Sequence, residues 1–263
     1  MTNAAMAEVL QWAYDNGKFS STAGDHNGLD ITAAKFGGRV LLALEYDNCK
    51  VKFDGFGTFY AVNGFEDHPV TEVSWYGAVM FCNWLTEMRD GNTDNVVYTN
   101  IDTTWQHDET AENTDLNGYR LPSKEEWEYT ARYRGSDSTN TVSGYSSPYF
   151  TKGDSASGAA DNYLNEAANR AVAVYAYDDP NPYEDEQRVR SLGPGSGNAL
   201  GLYDMSGNVS EWCFTQTTSF RYLLGGTYTE TESVLQIGMV FYIFPHNTSR
   251  LAGFRLCRTA DPE

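Results

Sequence analysis

A chain of 263 residues is long enough for one large domain or two small ones, and for a sizeable core. Its 36 acidic against 18 basic residues give a net charge of −18, which opposes nucleic acid and anionic membranes because a polyanion is repelled. The 18 Tyr, 13 Phe and 6 Trp argue against disorder, and no run approaches the roughly 18 apolar residues of a membrane helix.

Met6–Tyr14 repeats apolar residues at helical spacing and stops near Asn16-Gly17. Ser20–Asp30 is polar and glycine-containing, a loop. Gly38–Tyr46 and Val51–Val62 read as short strands, with turns at Asp47-Asn48 and Asp54-Gly55. Ser74 is a helix N-cap before a helix from Trp75 to Met88, in which positions 75, 78, 79, 82 and 85 share one face. Trp75, Cys82 and Trp84 are expected in its core. Asp90–Glu112 is an irregular polar stretch with one strand at Val96–Tyr98.

Ser123 and Glu126 fit a capping box that starts a second helix over Lys124–Tyr133, with Trp127 and Ala131 inward and Gly135 after its end. Glu125, Glu126 and Glu128 read as capping and a solvated face rather than as acid–base groups. Ser136–Asn198 is rich in Gly, Ser, Asn, Asp and Pro, with periodicity confined to Ala171–Tyr175. Gly201–Trp212 joins a turn to a short strand. Leu224-Gly225-Gly226 supplies a tight backbone approach, and Gly253–Cys257 alternates like a closing strand. Between them stands Met239–Phe244, six bulky apolar residues in a row. Pattern alone fits a buried core strand and an exposed binding face equally. Without an internal repeat or a low-complexity linker, residues 1–263 read as a single domain.

The cysteines at 49, 82, 213 and 257 form no CxxC and no zinc spacing. Buried free thiols are expected, one bridge being the alternative. His26, His68, His107 and His246 form neither HxH nor HxxxH and suggest no ligand set.

Three blocks together name a family: Val73–Leu85, GYRLPSKEEWEYTARYRG at 118–135, and GLYDMSGNVSEW at 201–212 followed by the terminal GFRLCR. They resemble the formylglycine-generating-enzyme, or sulfatase-modifying-factor, family over residues 65–258. The resemblance implies an α+β, C-type lectin fold: a small twisted antiparallel sheet, two main helices and much irregular loop. Residues 1–64 would be an accessory N-terminal layer. The family enzyme oxidises a substrate cysteine with copper and oxygen, through a close cysteine pair shortly before the final GFR. Here Ser233–Ala252 contains no cysteine, and a Cu(I) site lacks its thiolates, so no such activity is expected. The resemblance also implies a calcium site, with Asp204 and Glu211 as side-chain ligands beside backbone oxygens near Gly207 and Val209. A second family site would begin at Asn162. The alternative for Asp204, Asn208 and Glu211 is hydrogen bonding within the loop. Calcium is thus the one cofactor implied, and none is required.

The terminal segment is similar to the variable proteins of diversity-generating retroelements, which carry a fixed frame with rewritten positions on this fold. Leu224-Gly225-Gly226-Thr227-Tyr228, Leu235-Gln236-Ile237, Pro245 and Gly253–Cys257 stand at the frame positions. Leu224, Thr227, Tyr228, Leu235 and Val240 depart from it. The resemblance implies a variable region over 219–258. Its ligand-binding residues would be Tyr228, Thr229, Glu230, Thr231, Ser233, Met239, Phe241, Tyr242, Phe244, His246, Asn247, Ser249 and Arg250. The expectation is a non-enzymatic receptor-type protein, a monomer that binds an unidentified protein or cell-surface ligand. By family analogy it is displayed at a cell surface, with a lipid anchor in some relatives, although Met1-Thr2-Asn3 opens no leader. The alternatives are a metal-dependent oxidoreductase with a different centre, and a calcium-dependent sugar binder using Glu230, Glu232 and Asn247.

Overall fold

The computed structural model describes residues 1–19, 32–36, 38–101, 110–176 and 196–259. The loop expected at Ser20–Asp30 lies outside them. The chain forms two compact units, Met1–Pro122 with Phe244–Glu263, and Ser123–Ile243.

In the first unit, α1 (Asn3–Asp15) starts where the Thr2 hydroxyl accepts the Ala5 amide at 3.3 Å. Met6, Val9, Leu10 and Ala13 form its buried stripe. β1 (Ala34–Phe36) and β2 (Arg39–Leu42) form an antiparallel pair. β3 (Val51–Phe53) and β4 (Phe59–Ala61) make a hairpin whose tip is held by Asp54. Its carboxylate accepts the Phe56 and Thr58 amides at 2.7 and 2.9 Å. Gln11 of α1 holds the turn and the start of β4, accepting from the Phe59 amide and donating to Gly57 O.

The centre of this unit is α2 (Trp75–Asp90), buried almost all round from Trp75 to Trp84. Ser74 caps it: the hydroxyl accepts the Gly77 amide at 3.0 Å and donates to Val40 O at 2.6 Å, which ties the helix start to β2. Gly77 makes the approach possible, since a Cβ there would stand 2.0 Å from Leu41 O. The helix ends at Gly91 in the left-handed region. β5 (Tyr98–Thr99) pairs with β6 (Ala111–Glu112), starting two residues and ending one residue further on than the strand expected at Val96–Tyr98. The shift has a cause in Asn83, whose side-chain amide donates to Tyr98 O and accepts the Tyr98 amide. β7 (Tyr119–Arg120) follows.

The second unit opens with α3 (Lys124–Arg132) and the expected capping box. The Ser123 hydroxyl accepts the Glu126 amide at 3.1 Å, and the Glu126 carboxylate accepts the Ser123 amide at 2.8 Å. No glycine ends this helix. It passes at Tyr133 into β8 (Tyr133–Gly135), paired with β9 (Tyr149–Phe150). α4 (Glu166–Arg170) is a single turn. Within Ala171–Tyr175 the structure shows one bridge, Val174 to Gly207, rather than a strand. β10 (Ser210–Thr217), β11 (Phe220–Leu224) and β12 (Val240–Ile243) are antiparallel neighbours in that order. Trp127 and Ala131 of α3 pack with Met205, Cys213, Leu224 and Ile237.

In the first unit again, the closing strand expected at Gly253–Cys257 is two short pieces, β13 (Ala252–Gly253) and β14 (Cys257–Arg258). Phe254, 1% exposed, turns inward onto Phe81 between them and takes the chain off a continuous ladder. β14 pairs with β7. All four cysteines are free thiols, and Cys49, Cys82 and Cys213 are buried. Burial pushes the Cys49 thiol up to about 11.

Candidate functional site

In the second unit the terminal segment leaves β11 through Gly225 and Gly226, at φ of 101° and 73°. A Cβ on Gly226 would meet Val234 O at 2.8 Å, so the backbone needs glycine there for space as well as for conformation. This turn sends the next residues inward. The Tyr228 amide donates to Asn208 O at 2.8 Å, and Tyr228 and Thr229 are 3% and 6% exposed. Neither offers its side chain to a partner from solvent. Glu230 is half-buried, Thr231 is exposed and Ser233 half-buried. Leu235 and Ile237 anchor the connection in the core.

The apolar run then surfaces. Met239 is 36% and Tyr242 55% exposed, while Phe241 and Ile243 are half-buried. Val240, opposite Leu224, packs on the core cluster. Tyr242 lies opposite Tyr222 on the same side of the ladder, with its ring 5.4 Å from Phe220. Among the described residues β12 has a hydrogen-bonded neighbour on one side only, β11. The run is therefore a half-exposed edge strand. Six apolar residues without polar alternation carry no phase to reveal this, and the sequence left both readings open.

In the first unit the segment continues as a loop fixed at both ends by main-chain bonds. Pro245 O accepts the Trp75 amide at 3.1 Å, and Ser249 O accepts the Glu72 amide at 2.9 Å. Between these points Phe244, 42% exposed, stacks on His246 at 5.4 Å, and Asn247 is exposed. Ser249 Oγ accepts the Leu251 amide. Burial, and after it the Arg39 charge, holds the His246 imidazole below its ordinary value.

Two residues that sequence reading passed over shape this loop. Glu72 is buried with φ 58°. Burial raises its carboxyl, while a hydrogen bond with the Thr248 side chain and the Arg250 charge pull the other way. Arg250 thus faces a scaffold carboxylate. Arg39, stacked 4.3 Å over Tyr76, lends its charge to the surroundings of His246. A lone acid between apolar residues, in Val70-Thr71-Glu72-Val73, was the available signal for Glu72.

The residues considered for calcium are in the second unit. The Glu211 carboxylate accepts the Trp127 indole N–H at 2.7 Å, a structural use of one oxygen. Asp204 is half-buried at φ 54°. Asn208 is 4% exposed at φ 60°, and among the described residues its side-chain oxygen has no hydrogen-bond partner. Asn162 accepts the Leu164 amide in a local turn. Among the described residues no three His, Cys, Asp or Glu side chains form a group that could hold a metal ion.

With this geometry in view, the sequence profile of the sulfatase-modifying factor enzyme 1-like domain matches residues 42–260. The chain belongs to the sulfatase-modifying-factor family. The match starts upstream of the motifs, at the last residue of β2, and takes in the hairpin of β3 and β4 and the elements after it. Among curated proteins, the chaperone protein LppX of Paenibacillus barcinonensis is 28% identical over 190 residues, which are 65% of this chain and 63% of that protein. The chain thus spans less than two thirds of that relative's length.

Among solved structures, Treponema denticola variable protein 1 superposes with a TM-score of 0.55 at 22% identity, over 76% of this chain and 74% of its own. CarF gives 0.56 at 22% identity, over 95% and 83%. At these identities the likeness is one of fold. The α+β, lectin-type architecture read from the motifs is the one observed, and a variable protein stands among its neighbours, as the terminal motif anticipated.

Proposed function

We propose that this sulfatase-modifying-factor-type protein is a non-enzymatic, receptor-type ligand binder whose contact surface is its diversified terminal segment. One observation carries the reading. The family scaffold supports an edge strand with Met239 and Tyr242 exposed, where burial would be the ordinary fate of such residues. In the second unit the contact residues are Met239, Phe241, Tyr242, Thr231 and Ser233, with Glu230 among them. In the first unit they are Phe244, His246 and Asn247. In the second unit Tyr228 and Thr229 are buried and have a supporting role, and in the first unit Arg250 acts on Glu72. The absence of cysteine from Ser233–Ala252 removes the donors of the family's copper chemistry. Asp204, Glu211 and the Asn208 side-chain oxygen, hard donors, would hold calcium as a structural ion. Display at a cell surface follows from the retroelement resemblance and belongs to the same reading.

The test is a screen of displayed peptides and a glycan array with the wild type and with Tyr242→Ala/Phe244→Ala, alongside metal analysis of the pure protein. The expected outcome is a ligand whose affinity drops tenfold or more in the double variant while the fold is kept. Stoichiometric copper or iron, or binding indifferent to both aromatics, would contradict the reading.

A further inference from the structure

Glu230 is held in place by its own main chain. Its amide donates to Thr227 O at 3.3 Å, and its carbonyl accepts the Ala176 amide at 3.0 Å. The hydroxyls on either side pair with one another, Thr227 with Thr229 and Thr231 with Ser233, each pair at 3.0 Å. One oxygen of the half-buried Glu230 side chain stands apart. Its Oε2 is shielded from solvent and, among the described residues, has no hydrogen-bond partner.

The other displaced carboxyls of the described residues all have partners. Asp90 is paired with Arg89, Asp161 with Asn165, Asp54 and Asp137 with backbone amides, and Glu72 with Thr248 and Arg250. Burial alone acts on Glu230 and raises its carboxyl. Leaving an acceptor buried and unmade costs about 1–3 kcal/mol, and more for a charged one.

We propose that Glu230 is the charge-reading point of the second unit's binding surface, and that it receives a lysine ammonium or arginine guanidinium of a protein partner. The inference rests on the proposed binding role of the terminal segment and adds the chemistry of what is bound. A basic side chain supplies both missing elements, donor protons and opposite charge, in a charge-assisted hydrogen bond. An anionic group would be repelled, and a neutral donor would leave the charge uncompensated. The whole chain favours the same partner, because a net charge of −18 steers basic surfaces toward it. Exposed Met239 and Tyr242 in the same unit supply apolar contact area.

A random heptapeptide library displayed on phage is the probe, panned on the full chain as wild type, as Glu230→Gln and as Tyr242→Ala. The expected result is peptides enriched in Lys and Arg that lose affinity about tenfold or more on Glu230→Gln, and that also weaken on Tyr242→Ala. Glu230→Gln should melt no lower than the wild type, since it removes a stranded charge. Peptides that need Tyr242 but carry no basic bias and ignore Glu230→Gln overturn the inference and leave the binding surface standing. Peptides indifferent to Tyr242, or none at all, bring down the surface and the inference together. A lower melting temperature for Glu230→Gln overturns the premise, because the carboxylate would then serve the fold.

Discussion

Glu72 shows at the residue scale how the loop over 245–250 is anchored without regard to its side chains. It holds the loop through the Ser249 carbonyl, a group that every residue type provides, so side chains can change while the anchor stays. The carboxyl of Glu72 has a pH consequence. Burial lifts its folded pKa above the ordinary 4.5. The favourable contribution of its bound proton is therefore complete below 4.5 and is lost as pH rises through the folded value. Urea unfolding across pH should show wild-type stability, relative to Glu72→Gln, greatest below 4.5 and declining above it. Parallel pH profiles for the two proteins would show that the carboxyl is not so displaced.

Tyr228 marks what a residue pattern could not convey. It was grouped with the contact residues by frame position, but the Gly225-Gly226 turn carries it beneath Asn208. Asn208 and Glu72 both sit at positive φ, a backbone property that a side-chain pattern does not encode.

Elements were legible in proportion to how locally they are determined. The two main helices could be read because their caps are written beside them, Ser74 for α2 and the Ser123–Glu126 box for α3. Ser123→Ala should accordingly cost about 1 kcal/mol in chemical denaturation, while Glu125→Ala on the solvated face leaves stability nearly unchanged. Equal losses would mean that the box does not set the helix start. The bounds of the two-residue strands β5 and β14 were not legible, because long-range partners set them: Asn83 for β5 and Arg120 for Cys257 in β14. β12 lies between these cases. Its existence was readable, and its half-exposure came only from having β11 on one side.

For the whole molecule, the motifs at Val73–Leu85, 118–135 and 201–212 were enough to name the family, and the profile match over 42–260 agrees with them. They are legible because they are where the fold is made: Trp75 and Trp127 are nearly inaccessible, and Glu211 receives the Trp127 indole. The middle stretch Ser136–Asn198 stayed opaque because its described part is held by turns, bridges and side-chain bonds rather than by periodic elements. Residues 177–195 lie outside what the structure describes. In the terminal segment, to which the proposed function is assigned, Met239, Tyr242, Phe244 and Asn247 are exposed.

The most direct measurement is the sequence of many independent copies of this gene from one strain, compared codon by codon over 219–258. Substitutions gathered at Glu230, Thr231, Ser233, Met239, Phe241, Tyr242, Phe244, His246 and Asn247, with Gly225, Gly226, Pro245 and Gly253–Cys257 unchanged, are the predicted result. A segment identical in every copy would contradict a diversified binding surface and leave a fixed ligand or a metal centre to be sought instead.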